Sequence, residues 1–530
     1  MDQFYASAST EALYFDASNW THSISVNIKQ PKDIELIFDK ISYEKGASII
    51  RMLQSWLDQH HTETLSSTYF QRGLQNYLNS HAYGNAVTQD LWTSLEEEGV
   101  KDGWLQKGKL PRMMNSWTNQ IGFPLVRLNV KSSNQMTLTQ ERFYCCGERD
   151  ASTAKQLWSI PLTYGAVGGN ASERTAIIFD TKETSIAVEA SDRCSDLVLV
   201  NFGHVGFYRT LYPEAHLEKL ISCFQQQPND YLSQQDLTGF ADDVFQLTLA
   251  GLYPVRHSLK LLDIILSKRN YGYGTAEVAL GYVETLAEFT ELESFHTELS
   301  ARFLTYLRPR LEKTVWTIDD RVPHVEQLLR SRLITVAVSL NDEATLKTAQ
   351  SYFNVDNVDP SLLTPIYDAA IINGNSSTYD WMVNRYKTSP SASEQRRALL
   401  ALAAARDPSL IERTLLFATT SVVRNQDAAS LVNRVATQTL LGRRLTWPSI
   451  RDHWDSYMQR YGQGNSQFNR VLEMLVKTAY DQNEVQEIIA WVEAKYPYAK
   501  MSVLRGKERV LARWSWINSN RDALAMWLKQ

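Results

Sequence analysis

The spacing of apolar residues changes twice along this chain, and the two changes restrict the folds open to it. Residues 1–122 carry apolar side chains such as Ile49 and Met52 at helical spacing. Residues 123–212 switch to the alternation of β-strands, with β-branched and aromatic residues between turns of Gly, Ser, Asn and Asp. Residues 213–530 return to helical spacing. We therefore expect a multidomain, mainly α protein with one β region between two helical regions.

The middle region predicts a β-sandwich. Six or seven short strands fit between residues 123 and 212, which is typical of two packed antiparallel sheets. The candidate strands are LVRLNV, MTLTQERFYC, LWSIPLTY, TAIIFD, SIAVEA and DLVLVNF, followed by a turn and last strand in GHVGFYRTLY.

The last region predicts a large α-helical domain. Ten prolines from Pro228 to Pro497 divide it at intervals that suit helices or helix pairs rather than one long bundle. Apolar stripes alternate with charged faces between them. We expect a stack of antiparallel helix pairs, a superhelical domain of the HEAT or armadillo kind.

Charge and hydropathy give no indication of nucleic-acid binding or of a membrane-spanning helix. The chain has 530 residues and a formal net charge of −5, which gives no reason to expect nucleic acid. No run approaches eighteen apolar residues, so no membrane-spanning helix is predicted in this chain. Sequons at Asn19, Asn170 and Asn375 favour an extracellular or membrane-associated secretory setting over the cytoplasm, although compartment stays open.

The four cysteines are too few for a disulfide scaffold and lack zinc-site spacing. They are Cys145, Cys146, Cys194 and Cys223. Buried thiols are the favoured interpretation, ahead of a bridge from Cys145 or Cys146 to Cys194.

Tyr43 is the candidate site residue, within FDKISYEKGASIIRML (38–53). A tyrosine phenol donates a hydrogen bond at neutral pH and can stabilise an oxyanion. It cannot make the attacking nucleophile, which needs a metal-bound water and a base. Composition alone favours a buried tyrosine that caps a core helix. Gly46, inside the same helical pattern, predicts a close backbone neighbour.

The surrounding sequence points to a family. Residues from 22 to 53 fit a pattern of an extended segment leading into "FD-ISY-KG-SV-RML", with Ser23 where a proline is usual. The matching positions are His22, Pro31, Ile34, Phe38, Asp39, Ile41, Ser42, Tyr43, Lys45, Gly46, Ser48, Arg51, Met52 and Leu53. Further matching runs, in the same order, are HAYGNAVTQDLW (81–92), MMNSWTNQIGFPLVRL (113–128), LVLVNFGHVGFYRTLY (197–212), DDVFQLTLAGL (242–252) and GRRLTWPSIRDHWDSYMQRYG (442–462). The chain resembles the zinc metalloaminopeptidases of the aminopeptidase N and puromycin-sensitive type, which are gluzincins.

That resemblance implies a role for each region. Residues 1–122 correspond to the C-terminal helical part of a thermolysin-like peptidase domain, residues 123–212 to the β-sandwich, and residues 213–530 to the helical C-terminal domain. Tyr43 falls on the family's catalytic tyrosine, which stabilises the transition state. Peptide substrates and a homodimer are further implications. Leu237 stands where the family often has Arg, which weakens any contact inferred there.

Zinc belongs to the family, but none is expected on this chain alone. The sequence contains no HExxH and no G-A-M-E-N-like exopeptidase loop. His60-His61-x-Glu63 is the densest substitute cluster, yet helical ligands need a spacing of four. His216 and His296, each with a glutamate two residues later, fail the same test.

Two functions remain open from the sequence. In the first, the chain is the C-terminal portion of a zinc metalloaminopeptidase that removes N-terminal residues from peptides, inactive as this chain alone because the zinc site is missing. In the alternative, it is a non-catalytic aminopeptidase-like protein that binds peptides or a protein partner through its helical domain. Whether the zinc-binding half is encoded upstream separates them.

Overall fold

A computed structural model of the protein describes residues 2–29, 34, 37–60, 67–132, 135–146, 151–169, 173–186, 194–226, 232–267, 272–319 and 321–530. Of the residues singled out in the sequence, Pro31, His61, Glu63, Asn170 and Pro228 lie outside this described part.

The first region is helical, as its apolar spacing predicts. Two single turns of π-helix, Tyr5–Ser9 and Ile41–Lys45, each lead directly into an α-helix. The α-helices are α1 (Asp2–Phe4), α2 (Thr10–Asp16), α3 (Gly46–Asp58), α4 (Tyr69–Ser80), α5 (Thr88–Lys101) and α6 (Lys109–Thr118). The apolar stripe of α3 is buried, with Ile49 and Leu53 at 1% and 0% exposure.

The sheet region is confirmed, with seven strands in the described residues. They are β1 (Pro124–Ser132), β2 (Gln135–Arg142), β3 (Ile160–Ala166), β4 (Thr175–Phe179), β5 (Glu183–Ile186), β6 (Val198–Val200) and β7 (Arg209–Leu211). One sheet has the order β5-β2-β1-β7 and the other β4-β3-β6. β7 runs parallel to β1, and the other pairs are antiparallel. The β-sandwich arrangement itself stays a prediction.

One buried amide ties the two sheets together. Gln140 on β2 donates from Nε2 to the carbonyl oxygens of Trp158 at 3.0 Å and Thr181 at 2.9 Å, and its Oε1 accepts from Trp158 N at 2.9 Å. Gln140 is 2% exposed. Because a buried amide without partners is costly, these bonds fix the position of β2 relative to the segments that flank β3 and β4.

The remainder of the chain is helical, which agrees with the predicted large helical domain. Its helices are α7 (Glu214–Gln226), α8 (Gln234–Leu249), α9 (Val255–Ser267), α10 (Tyr273–Thr290), α11 (His296–Leu311), α12 (His324–Ser339), α13 (Glu343–Ser351), α14 (Leu363–Ile372), α15 (Ser376–Thr388), α16 (Ala392–Ala401), α17 (Pro408–Thr419), α18 (Asn425–Gln438), α19 (Leu440–Asp452), α20 (Trp454–Tyr461), α21 (Ser466–Lys477), α22 (Gln482–Lys495) and α23 (Lys500–Leu528).

The prolines do not all separate helices. Pro408 begins α17 directly after Asp407, whose carboxylate caps the helix through Ser409 N at 2.8 Å. Pro309 and Pro448, however, lie inside α11 and α19. The prolines therefore divide the region into helices only in part.

The described residues fall into two compact units. The first lies within Met1–Lys29, Ile37–Ile265 and Asn270–Val278, and the second within Gln30–Leu36, Leu266–Arg269 and Ala279–Gln530. The first unit holds both sheets, and the second has a continuous apolar core that extends from Trp316 to Val510. The division at 122 and 212, and the superhelical form of the last region, stay predictions.

The cysteine expectation was wrong. Cys194 is joined to Cys223 by a disulfide, with Cα atoms 5.6 Å apart. Cys223 lies on α7, and the sequence did not predict that this helix returns to the segment before β6. The Sγ atoms of Cys145 and Cys146 lie 2.9 Å apart. Among the described helices, none combines the length and apolarity needed to cross a bilayer.

Candidate active site

Tyr43 lies on the π-helical turn Ile41–Lys45, immediately before α3. The carboxylate of Asp39 holds the start of this turn, since its Oδ1 accepts from Ile41 N at 2.9 Å and Ser42 N at 3.3 Å. Tyr43 N donates to the carbonyl oxygen of Asp39 at 3.2 Å. Asp39 thus satisfies backbone donors that the first turn of a helix leaves unpaired.

The side chain of Tyr43 is open to solvent. It is 59% exposed, and the neighbouring Phe38 is 55% exposed, with the two ring centroids 6.1 Å apart. The interpretation from composition, a buried tyrosine that caps a core helix, is therefore wrong. A large aromatic side chain that is exposed on a fixed turn can contact a ligand, which a core residue cannot.

A buried ion pair anchors the other end of the turn. Lys45 Nζ lies 2.8 Å from Asp16 Oδ2, and both side chains are 0% exposed. Lys45 also donates to the carbonyl oxygen of Gly122 at 3.1 Å, and Asp16 Oδ1 accepts from Gly122 N at 3.1 Å and Thr21 Oγ1 at 2.8 Å. Because removing one partner would leave a buried charge unpaired, this pair defines where the turn sits.

His22 supports Asp39 from the preceding segment. Its Nε2 lies 2.8 Å from Asp39 Oδ2, and its Nδ1 lies 2.8 Å from the carbonyl oxygen of Ser23. Burial by itself lowers the pKa of His22, but the hydrogen bond and charge of Asp39 outweigh it, so the pKa is raised. Two residues of the sequence pattern, His22 and Asp39, are thereby joined in positioning Tyr43.

Arg51 on α3 connects the candidate site to the end of the sheet region. Its guanidinium donates to the carbonyl oxygens of His204 at 3.0 Å and Gly203 at 3.3 Å. His204 is 3% exposed and has a positive φ of 41°. Burial, ahead of the charges of Arg209 and Arg51, lowers the pKa of His204 to about 3.

A second buried network was missed in the sequence. Arg209 on β7 donates from Nη1 to Asp242 Oδ2 at 2.8 Å and Asp243 Oδ1 at 3.0 Å, and Thr210 N donates to Asp243 Oδ2 at 2.9 Å. The three charged side chains are buried, and burial raises the pKa of Asp243 despite the opposing charge of Arg209. Leu237, at the position where Arg was expected, is also buried. The sequence feature that could have indicated this network is the pair of adjacent aspartates, Asp242 and Asp243, in an otherwise apolar helix.

The described histidines of the substitute clusters considered in the sequence contact other groups. The ring of His60 stacks on Trp104 with centroids 3.8 Å apart, and its neighbours His61 and Glu63 lie outside the described residues. His216 Nε2 lies 2.9 Å from the carbonyl oxygen of Val198, and His296 Nδ1 lies 3.3 Å from Thr290 Oγ1. Each described histidine of these clusters thus has a structural neighbour.

In the described part of the chain, one group of three metal-ligating side chains comes together: Glu214, Glu218 and His257. It is built on α7 and α9 rather than on the turn that carries Tyr43. These three residues do not form the HExxH arrangement of a catalytic zinc centre, so this group does not fit the family's zinc.

Two family models and several curated proteins match the sequence of this chain. A family described as the peptidase family M1 domain matches residues 1–117, and the ERAP1-like C-terminal domain matches residues 197–512. Glutamyl aminopeptidase of Bitis rhinoceros is 28% identical over 548 aligned residues, covering 100% of this chain and 54% of that protein. Aminopeptidase A of Gloydius brevicauda is 27% identical, with 100% and 54% covered. Aminopeptidase M1-C of Oryza sativa subsp. japonica is 27% identical, with 98% and 58% covered.

The peptidase M1 match covers the helical region that carries Tyr43, and the ERAP1-like match covers the end of the sheet region and most of the large helical region. The ERAP1-like match alone extends over more than half of the residues. The chain belongs to the M1 family of aminopeptidases. It spans about half the length of the curated relatives it matches.

Proposed function

We propose that this chain is the C-terminal portion of a zinc aminopeptidase that removes N-terminal residues from peptides, and that Tyr43 is its contribution to catalysis. The observation that supports this is the placement of Tyr43, whose side chain is exposed on a turn fixed at both ends. Without the zinc-binding half, the chain does not hydrolyse peptides.

The role of Tyr43 follows from charge development. When water adds to a peptide carbonyl, negative charge accumulates on the carbonyl oxygen, and a preorganised O–H donor stabilises that charge more than it stabilises the substrate. Asp39 and the Lys45–Asp16 pair hold the backbone of the turn before substrate arrives. The phenol therefore donates to the oxyanion at little cost in reorganisation.

Zinc in this family supplies Lewis-acid activation of water. The chain's 530 residues contain no HExxH, and the Glu214, Glu218 and His257 group lies on other helices. We therefore assign only the hydrogen-bond donor to this chain and expect the metal ligands, the general base and the amino-group anchor elsewhere.

A secretory or extracellular setting is part of the proposal. The Cys194–Cys223 disulfide supports it, since such bonds persist in oxidising compartments. The sequons at Asn19 and Asn375 fall in described residues and agree with it. Peptides as substrates and a homodimer, both implied by the family, stay proposals.

The alternative is a non-catalytic protein that binds peptides or a partner. The absence of HExxH from the 530 residues, together with the retained helical unit, is the observation that favours it. Reading the coding sequence upstream of Met1 separates the two. An in-frame HExxH with a G-x-M-E-N loop supports the aminopeptidase, and their absence from the complete gene supports the binding protein.

The first prediction concerns Tyr43 in a longer protein that also contains the zinc-binding half. Tyr43→Phe removes one donor, so kcat for an aminoacyl-anilide should fall roughly 10²- to 10³-fold while KM changes little. Because the Tyr43 side chain is exposed, the thermal midpoint should not change. Tyr83→Phe, which alters a fully exposed tyrosine of the same region, is the matched control and should leave both unchanged.

Two results contradict the proposal. Tyr43→Phe with normal kcat would remove the oxyanion role. Hydrolysis of aminoacyl-anilides by residues 1–530 alone, abolished by a chelator, would show that the zinc site is not missing from this chain.

A further inference from the structure

Three side chains that can bind a metal meet between α7 and α9. Glu214 and Glu218 are four residues apart on α7, which places them on one face of the helix. His257 on α9 faces them, and the potential ligand atoms of all three lie within 4.8 Å of one another. All three residues belong to the first compact unit.

In the absence of an ion, His257 is joined to Glu214 by a hydrogen bond, and Glu218 lies close to both. His257 Nε2 lies 2.8 Å from Glu214 Oε1 and 3.9 Å from Glu218 Oε1. Bonds of about 2.1 Å from zinc to nitrogen and oxygen place neighbouring ligand atoms about 3.0–3.4 Å apart in octahedral or tetrahedral geometry. The two distances lie on either side of that range, so a cation could replace the proton shared by His257 and Glu214 after small side-chain shifts.

One residue of the cluster is buried and the other two are exposed to solvent. His257 is 3% exposed, whereas the side chains of Glu214 and Glu218 are 46% and 54% exposed. The imidazole is held within the packing of α9, and the carboxylates can adjust. An ion bound here keeps positions open for water, and one nitrogen with two carboxylates suits first-row transition metals better than Ca²⁺.

The cationic side chain of Arg256 lies beside the two glutamates. The guanidinium of Arg256 contacts Glu214 and lies 3.9 Å from Glu218 Oε1. Arg256 is 62% exposed, and exposed ion pairs of this kind contribute little to stability. A divalent cation can therefore displace Arg256 into solvent at small cost, and the two compete for the same carboxylates.

We propose that Glu214, Glu218 and His257 form a binding site for a divalent first-row transition metal ion, with Zn²⁺ as the probe of choice. Its residues lie on α7 and α9, whereas Tyr43 lies on the turn Ile41–Lys45. It revises the expectation that no metal binds this chain. His257 is distant from the glutamates in sequence, which is why spacing did not reveal the site.

Metal-stripped, untagged protein of 530 residues is titrated with Zn²⁺ by calorimetry, and Co²⁺ is followed by its visible absorption. We expect one ion per chain. Glu218→Gln should weaken binding roughly tenfold or more, because it removes one charged ligand from an exposed position. Arg256→Gln should strengthen binding, because it removes the competing cation. Glu298→Gln, at an exposed glutamate of α11, is the control and should leave affinity unchanged.

The proposal predicts opposite changes in metal affinity for Glu218→Gln and Arg256→Gln, and this pair of results tests it. Equal affinities for the unmodified protein, Glu218→Gln and Arg256→Gln would show that any bound ion lies elsewhere, and absence of binding at millimolar Zn²⁺ would also overturn the site. His257→Gln is not needed, so a loss of folding at that buried position does not affect the outcome.

Discussion

Asp39 is the residue on which the geometry around Tyr43 depends. One of its carboxylate oxygens caps the turn through Ile41 N and Ser42 N, and the other lies 2.8 Å from His22 Nε2. The cap needs only an oxygen acceptor, whereas the interaction with His22 also needs the charge. These two contributions can be separated by a substitution that keeps the acceptor.

Asp39→Asn should lower the pKa of His22, which NMR titration measures. In the unmodified protein the pKa of His22 is raised. The stability that this gives is fully present below the unfolded pKa of about 6.5 and is lost as pH rises through the folded pKa. The substituted amide would keep an oxygen for the cap and lose the charge. The variant should therefore lose more unfolding free energy at about pH 5.5 than at about pH 8.5, and an equal loss at both would contradict the charge argument.

At two helical glycines, the packing of neighbouring elements determines whether a side chain would fit, and the sequence alone does not show this. Gly46 in α3 has as its nearest atom to an added Cβ the carbonyl oxygen of Ile41 at 4.0 Å, so the predicted close neighbour is absent among described residues. Gly239 in α8 faces the ring of His204, and an added Cβ would lie 1.9 Å from its Cγ. The ring occupies the space above Gly239 because His204 is buried there with a positive φ.

Alanine at these two positions should therefore have opposite effects. Gly46→Ala should raise the unfolding free energy by up to about 1 kcal/mol through helix propensity. Gly239→Ala should lower it by about 2 kcal/mol or more, because His204 must move in a packed interior. Chemical denaturation of both variants measures this, and each serves as the control for the other. A stabilised Gly239→Ala would mean that the close approach does not exist.

The helical and strand regions of the chain could be predicted because their apolar periods are local. Contacts between distant residues could not be predicted. The Cys194–Cys223 bond, the pairing of Arg209 with Asp242 and Asp243, and the approach of His257 to Glu214 each join elements whose neighbourhood is fixed only by the tertiary fold. For Tyr43 the sequence predicted a residue at the start of a helix, but the turn that carries it and its exposure had to be seen in the structure.

For the whole molecule, His204 predicts sensitivity to acid. Its pKa is lowered to about 3 by burial, ahead of the charges of Arg209 and Arg51, against about 6.5 for an unfolded histidine. Between these values the unfolded chain binds a proton that the folded chain does not. The stability that His204 confers as a neutral ring is therefore full above about pH 6.5 and is lost as pH falls toward 3.

Denaturant midpoints between about pH 3.5 and about pH 7.5 test this, with His204→Asn as the comparison. Asparagine tolerates the positive φ at this position but does not titrate. The variant should be less stable than the unmodified protein at the upper end of this range, because it loses the packing of the ring. The difference in stability between the two proteins should shrink steadily as the pH falls. Only the unmodified protein has a buried histidine that stays neutral in the folded state while the unfolded chain binds a proton. A difference that stays constant over this range would place the acid sensitivity of the molecule in other groups.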